Sequence, residues 1–596
     1  MSLETLSQLF NFNVTQYNKP DLMIYRGHDG SIYKISTNEF KDRVINLALG
    51  LKELGVKPET KIILLSENRP EWHITDFACH LLSAVVVPIF PTLVAEQLEY
   101  IIQNSDSEFV VISNLVQANK IQPVRTNLKK IKNIIAMEEE AAKDDTIFFK
   151  KVLDLGSEQD DTAFFEDSIK LAKPDVIATI IYTSGTTGLP KGVMLSHQNI
   201  VSNFLACSKV IEINSSDRGL SFLPLSHAFG RTVDYLYFYK GLSIIYSNIN
   251  NVAQDLQENK PTIMAAVPRF YEKVKSRIET KVEEEGGLKK RLFNWAVNVG
   301  RKKANLSSRG VSGGILLNVL FKIANNLVLS KIRLGTGGNI KYFISGGAPL
   351  SIEVAHFFYA IGLKILEGYG LTETSPVIAV NSPQKPKLGT VGPALPGNEI
   401  KIAEDGEILT KGPNVMMGYY KMPAATDEVL IDGWFQTGDI GQLDEEGYLS
   451  ITDRKKQLLV TSVGKKVAPQ AIEKAVENSK YIEQVVLIGE KRKFISALIV
   501  PDFEALKNYA RQHNISAHDH EELIKNSDIL TFIQKEVDKQ QIKFSNYERI
   551  RKFQLLAQPF TIENGQLTPT LKIKRRVVEQ EYANLIEKMY ALPNYK

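Results

Sequence analysis

The chain reads as an α/β protein: a large N-terminal domain of α/β layers with a small β-rich subdomain, followed by a small α+β C-terminal domain. Three observations carry this. Short apolar runs alternate with helical periods through the first half. That rhythm argues for a parallel sheet with helices packed on it. A glycine-rich stretch of short alternating runs occupies about 389–452, including GTVGPALPG, GEILTKG, GWFQTGD and GYLSITDR. After Asp453 and Arg454 the texture changes to mixed helix and strand patterns that continue to the end. The boundary is set at 455/456, giving domains 1–455 and 456–596.

Within the first domain, KIILLS at 61–66, AVVVP at 84–88 and FVVIS at 109–113 read as buried strands. Helices are expected at 76–82 and 95–104. Ser36 and Glu39 fit a reciprocal capping box opening a further helix. Residues 270–335 are helical in tone, with acidic 283–285, Gly286, Gly287 and basic 289–291 in succession. They read as a solvated helical hairpin, with a regulatory or membrane-facing element as the alternative.

At 596 residues the chain is too long for one ordinary core. Its 43% hydrophobic and 23% charged residues are those of a globular protein. A net charge of +4 makes no case for nucleic acid as a partner and does not oppose an anionic substrate or membrane surface. Cys79 and Cys207 are the two cysteines, too few for a disulfide framework, and both are expected to be buried. No secretory pattern opens the chain and no continuous apolar run reaches about 18 residues. A cytoplasmic address is expected, with any membrane contact peripheral, on the inner surface.

The strongest local signal is YTSGTTGLPKG at 182–192, which follows the apolar run 176–181. It gathers Thr183, Ser184, Gly185, Thr186, Thr187, Gly188 and Lys191. Glycines let backbone approach an anion, hydroxyls and N–H groups donate to phosphate oxygens, and the lysine adds charge. It is not a Walker loop, which needs GxxxxGK followed by Ser or Thr. Alone it also reads as a polar hairpin.

Further motifs follow in order: PLSHAFGR at 224–231, SGGAPL at 345–350, GYGLTE at 368–373, WFQTGD at 434–439, DRKK at 453–456, GKKVAPQAIE at 464–473 and LTPTLKIKRR at 567–576. With the loop, this series resembles the adenylate-forming superfamily over nearly the whole chain. Its members include acyl-coenzyme A synthetases, peptide-synthetase adenylation domains and luciferase. The pattern PTIMAAVPRFYEKV at 261–274, the helical insert after it and TPTLK resemble long-chain fatty acid–CoA ligases most.

The resemblance implies ATP and coenzyme A as co-substrates, Mg²⁺ as cofactor and a mobile C-terminal domain. It assigns the loop 182–192 to the β- and γ-phosphates. Tyr369, Gly370 and the turn Gly346, Gly347, Ala348 go to adenine. Thr372 and Glu373 face the phosphates, Glu373 holding Mg²⁺. Asp439 and Arg454 go to ribose, and His227 to the carboxylate pocket, with Phe229 and Arg231 bordering the acyl entrance. Lys572 is the adenylation lysine, with Lys574 as competitor because Leu571 stands where the family more often has glycine. Lys456 is the hinge, and Gly464 lines the coenzyme A channel.

The implied reaction joins a long-chain fatty acid to AMP and then to coenzyme A. Alternatives are transfer to an acyl carrier protein, a medium-chain or aromatic acid, and a non-catalytic fatty-acid binder. A buried long chain needs an apolar tunnel, since each methylene contributes about 0.8 kcal/mol on burial. The aromatic run DYLYFY at 234–239 reads as tunnel wall or core helix.

Overall fold

The structure, a computed structural model, describes residues 3–159, 163–183, 190–308, 313–455, 459–462, 465–568 and 573–591. They form two compact units. The first is 1–401 with 409–437 and 443–449; the second is 402–408, 438–442 and 450–596.

The first unit is built on two eight-stranded sheets. In one, the apolar runs expected as strands become Lys61–Leu65, Val85–Ile89 and Phe109–Ile112, all parallel neighbours. Beside them the hairpin Ile177–Thr183 and Lys191–Ser196 brings Thr183 opposite Lys191. In the other sheet Arg218–Ser221, Ile263–Ala266, Tyr342–Ser345 and Lys364–Gly370 run parallel in that order. Four C-terminal strand ends therefore share one edge, where α/β proteins place ligands.

Sheet faces are apolar and need cover, which fixes the layering. Phe10, Phe40, Trp72, Phe77, Phe204 and Phe238 belong to the main core. The helices expected at 76–82 and 95–104 are Pro70–Leu81 and Ala95–Asn104; the first starts earlier because Pro70 suits the opening turn. Helix Thr37–Glu53 opens with only half the expected capping box. Ser36 accepts from Glu39 N–H at 3.2 Å, but the Glu39 carboxylate turns to Arg43 at 2.6 Å.

The segment 270–335 is helical as expected, in Pro268–Glu285, Gly287–Ser308 and a run from Gly314 to Leu334. It is less solvated than a free hairpin: Phe293, Ala296, Ala324 and Leu329 are buried in a second core with Phe343 and Phe358. The run 314–334 corrects the sequence reading on one point. It is long and apolar enough to cross a membrane by length and composition. Counting uninterrupted apolar residues passes over it, because Asn318, Lys322, Asn325 and Asn326 break the run.

The glycine-rich stretch forms short strands, Glu399–Ile402, Glu407–Lys411, Leu430–Ile431, Trp434–Leu443 and Leu449–Arg454, and the division between the units runs through it. The second unit has an α+β core. Ile482–Ile488 and Ile495–Pro501 pair antiparallel, Ile550–Leu555 joins in parallel, and helices Pro469–Val476, Phe503–Gln512 and Ser527–Gln540 pack against them.

Candidate active site

The strand after Gly368 turns sharply. Gly370 is required there: a Cβ would meet the Pro376 carbonyl oxygen at 1.8 Å. The turn is closed by Leu371 N–H donating to Pro376 O at 3.1 Å and to the Thr374 hydroxyl at 3.1 Å. Thr372–Thr374 form one tight helical turn that presents Thr372 and Glu373. Asn414 Nδ2 donates to Thr374 O at 2.8 Å and fixes the turn from outside.

One Glu373 oxygen accepts from the Tyr419 hydroxyl at 2.9 Å. Tyr419 lies opposite Val193 on the strand that begins with Lys191. The Lys191 ammonium sits 4.8 Å from the Tyr419 ring centre. Lys191 and Glu373, 182 positions apart in sequence, thus meet around one tyrosine. Burial, with the nearby Glu373 carboxylate, pushes the Tyr419 hydroxyl far above its ordinary range, so it remains a neutral donor. Sequence reading missed Tyr419. It stands in GYYK, and nothing in that tetrapeptide separates it from Tyr420, whose hydroxyl donates to Asp106 at 3.0 Å. Tyr419→Phe should weaken MgATP binding several-fold, since one hydrogen bond to a charged acceptor is lost. A KM for MgATP equal to wild type would contradict this.

Other motifs converge on the same sheet edge. Gly346 backs onto the Phe229 ring, which a Cβ would meet at 3.0 Å, and onto Gly368 O at 3.5 Å. Gly347 and Ala348 are exposed at the strand end and Tyr369 is buried. His227 opens helix Ala228–Lys240, its Nδ1 accepting from Phe229 N–H at 3.1 Å. The buried hydroxyls of Ser226, Ser345 and Ser375 have no partner among the described residues. Each lies in or beside a different motif loop. Buried polar atoms in this state are the ones a polar ligand or ordered water would satisfy.

These groups fit a Mg²⁺–nucleotide. Among the described residues no cluster of three His, Cys, Asp or Glu is placed to hold a metal. A magnesium ion would be held by the Glu373 carboxylate with phosphate and water oxygens, its usual manner of binding.

Arg231 does not border an entrance. Its guanidinium is buried, donating to Tyr235 Oη at 2.7 Å and Thr179 Oγ1 at 2.8 Å and pairing with Asp76. The run 234–239 belongs to the core helix, with Tyr235, Leu236, Tyr237 and Phe238 buried in it. Val233 and Asp234 face a narrow recess with Leu220, Phe222, Leu223 and Ala265, which has no room for a water-sized sphere.

Two carboxyls near the site stay protonated at neutral pH. Burial pushes Asp234 up to about 8, and Glu367, just before Gly368, likewise to about 8. A raised folded-state value gives stability that is complete below the ordinary carboxylate range and lost as pH rises through about 8. Buried His73, His80 and His197 are all pulled down by burial, so their effect appears only on the acid side. The first unit should therefore lose stability from pH 6.5 to 8.5, and Asp234→Asn should flatten the slope. Thermal melts across that range test it; an unchanged slope in the variant contradicts it.

The remaining sequence-assigned positions divide in two. Asp439 is buried in the second unit. There Gly438 N–H donates to Glu407 at 2.8 Å, and Lys455 bridges Asp405 at 2.6 Å and Glu407 at 2.7 Å. Arg454 ends the strand Leu449–Arg454. Ser184, Gly185, Thr186, Thr187, Gly188, Lys456, Gly464 and Lys572 lie outside the described residues.

Comparison with known proteins is in keeping with this site. The AMP-binding enzyme family matches residues 12–420, and the AMP-binding enzyme C-terminal domain matches 456–593. A long-chain-fatty-acid–CoA ligase of Mycobacterium bovis is 35% identical over 576 residues, 96% of this chain and 95% of the relative. The long-chain-fatty-acid–CoA ligase 5 of Rattus norvegicus is 33% identical, covering 98% of this chain and 88% of the relative. The solved adenylation domain of a Mycobacterium chelonae carboxylate reductase shares the fold, with a TM-score of 0.76 at 21% identity over 99% of this chain and 91% of that one. The chain therefore belongs to the AMP-binding, adenylate-forming enzyme family, and within it matches the long-chain acyl-CoA synthetases.

Proposed function

We propose that the protein activates a long-chain fatty acid with ATP and transfers the acyl group to coenzyme A. The observation that carries the reading is the meeting of Lys191, Tyr419 and Glu373 at the mouth of the hairpin flanking 184–189. It sets a cation and a carboxylate on one tyrosine, the two charges a Mg²⁺–triphosphate calls for. The names of the M. bovis and rat relatives support the substrate class.

In the first step an acid oxygen attacks the α-phosphorus and the bond to the β-phosphate breaks, releasing pyrophosphate. Thr183, Lys191 and the 184–188 loop hold the departing phosphates. Thr372 donates to the α-phosphate, and Lys572 brings positive charge to the forming acyl phosphate. Bound Mg²⁺ would supply charge neutralisation on the phosphates. In the second step the coenzyme A sulfur attacks the acyl carbon and AMP leaves with the bonding electrons. Asp439 and Arg454 retain the ribose. Lys456 serves as the hinge between steps, with Gly464 beside the thiol's path; the boundary at 455/456 is part of this reading.

No enzyme thiol is needed. Cys79 and Cys207 are buried and unpaired, and burial pushes the Cys207 thiol up to about 12. Unpaired buried cysteines also support a cytoplasmic address. The test is a product assay with palmitate, ATP and Mg²⁺, offering coenzyme A or acyl carrier protein as acceptor. Palmitoyl-CoA is expected; product on the carrier protein alone would overturn the acceptor assignment.

A further inference from the structure

The helical run Gly314–Leu334 is apolar on both sides, although one side faces outward. Inward, Ala324 and Leu329 are buried and Leu317, Phe321, Val328 and Ile332 pack on the second core. Outward, Ile315 is 87% and Leu316 74% exposed, and Val319, Ile323, Leu327 and Leu334 are exposed beside them. At about 100° per residue Ile315, Leu316, Val319 and Ile323 fall within roughly a third of the circumference of the α-helical part, Gly314–Ala324; Leu327 lies in the π-helical turn Asn325–Leu329 that follows, and Leu334 ends the run. Lys322 lies at one margin of that arc and Lys331 follows the π-helical turn, and both are exposed. A contiguous exposed apolar face of this kind marks an interaction surface.

Charge selects what covers it. From Gly286 to Ile352 the sequence has no Asp or Glu, while ten Lys and Arg lie in 286–338 alone. The whole chain carries only +4, so the excess is concentrated here. The Lys303 ammonium sits 4.2 Å from the Phe321 ring centre, tying the basic end of Gly287–Ser308 to this helix. A second copy of the same face would set like charges against each other. An anionic bilayer offers an apolar interior beneath a negative surface.

We propose that Gly314–Leu334 docks the protein in the plane of an anionic lipid bilayer. The helix lies on the membrane and does not cross it. Its inner face is committed to the core. Arg333 donates to Ile361 O at 2.7 Å, which fixes the C-terminal end of the run to the globular unit, and to Asn325 Oδ1 of the same run at 2.7 Å. The outer residues enter the acyl boundary, and Lys322 and Lys331 meet the headgroups. This goes beyond the catalytic reading and does not depend on which acid is activated.

The test uses the full chain and vesicles of phosphatidylcholine, with or without phosphatidylglycerol. Cys79 and Cys207 are buried, so Leu316→Cys takes an environment-sensitive dye selectively. The expected result is flotation with anionic vesicles, weakened by salt and accompanied by a blue shift of the dye. Ile315→Ser/Leu316→Ser/Val319→Ser/Ile323→Ser should lower partitioning about tenfold or more, and Lys322→Gln/Lys331→Gln several-fold. Unchanged melting of the serine variant would show that it folds. Should it not fold, the dye and salt measurements on the otherwise unaltered chain still decide. No flotation on anionic vesicles, no dye shift on them, or equal binding by wild type and both folded variants overturns the proposal. So does a dimer that forms without lipid and is dissolved by the four serines.

Discussion

Lys572→Ala is expected to lower acid-dependent ATP–pyrophosphate exchange by about 10²–10³-fold while sparing thioester formation from supplied acyl-adenylate. Adenylation sets a carboxylate against a phosphate that is itself anionic. A lysine ammonium between them stabilises the charge as the new bond forms, and removing such a preorganised group costs about 10²–10³ in rate. The thioester step forms no acyl phosphate and has no use for that charge. The position follows from the family resemblance. Among the described residues on either side, Leu567 bridges Ile573, and Lys574 N–H donates to Gln566 O at 2.8 Å. Lys574 stands immediately before helix Arg575–Glu581, where Arg575 pairs with Glu473 at 2.7 Å. Lys574→Ala should leave exchange near wild type. If Lys574→Ala abolishes exchange and Lys572→Ala does not, the two lysines exchange roles. Lys456→Pro is expected to show the opposite split, with the thioester step impaired more than exchange.

Arg231→Met should destabilise the first unit by about 3–5 kcal/mol, the cost of leaving a buried charge without its partner. Burial alone would raise the Asp76 carboxyl, but the Arg231 charge overcomes this and holds it well below the ordinary carboxylate range. Without the guanidinium, Asp76 keeps the Tyr235 hydroxyl at 2.6 Å and the His80 ring at 3.4 Å but loses its permanent countercharge. Thr179 loses its donor as well, and its strand, Ile177–Thr183, leads into the motif 182–192. Because an apolar pair of similar volume often replaces a buried ion pair without loss, Arg231→Met/Asp76→Leu should recover most of the stability. Denaturant unfolding of the first unit measures both. A single variant as stable as wild type would contradict the account.

Much of the layered fold is legible in sequence because buried parallel strands are written as continuous apolar runs. The runs at 61–66, 84–88 and 109–113 became neighbouring strands for that reason. The glycine- and hydroxyl-rich composition of 182–192 and the Gly370 turn are similarly local. What was not legible depends on distant partners. Tyr419 joins Lys191 to Glu373 only because its strand pairs with the one carrying Lys191. Arg231 reads as a border of the acyl entrance in PLSHAFGR until Asp76, Thr179 and Tyr235 close around it. The helix 314–334 hides its apolar character behind single polar residues, and only packing reveals which face stays uncovered.

The most direct test of the central claim is AMP release over saturated acids of increasing length, with ATP, Mg²⁺ and coenzyme A present. Release matched by acyl-CoA formation, and highest with long-chain acids, is the result the account predicts. Greatest release with short or aromatic acids, or none with any acid, would contradict it.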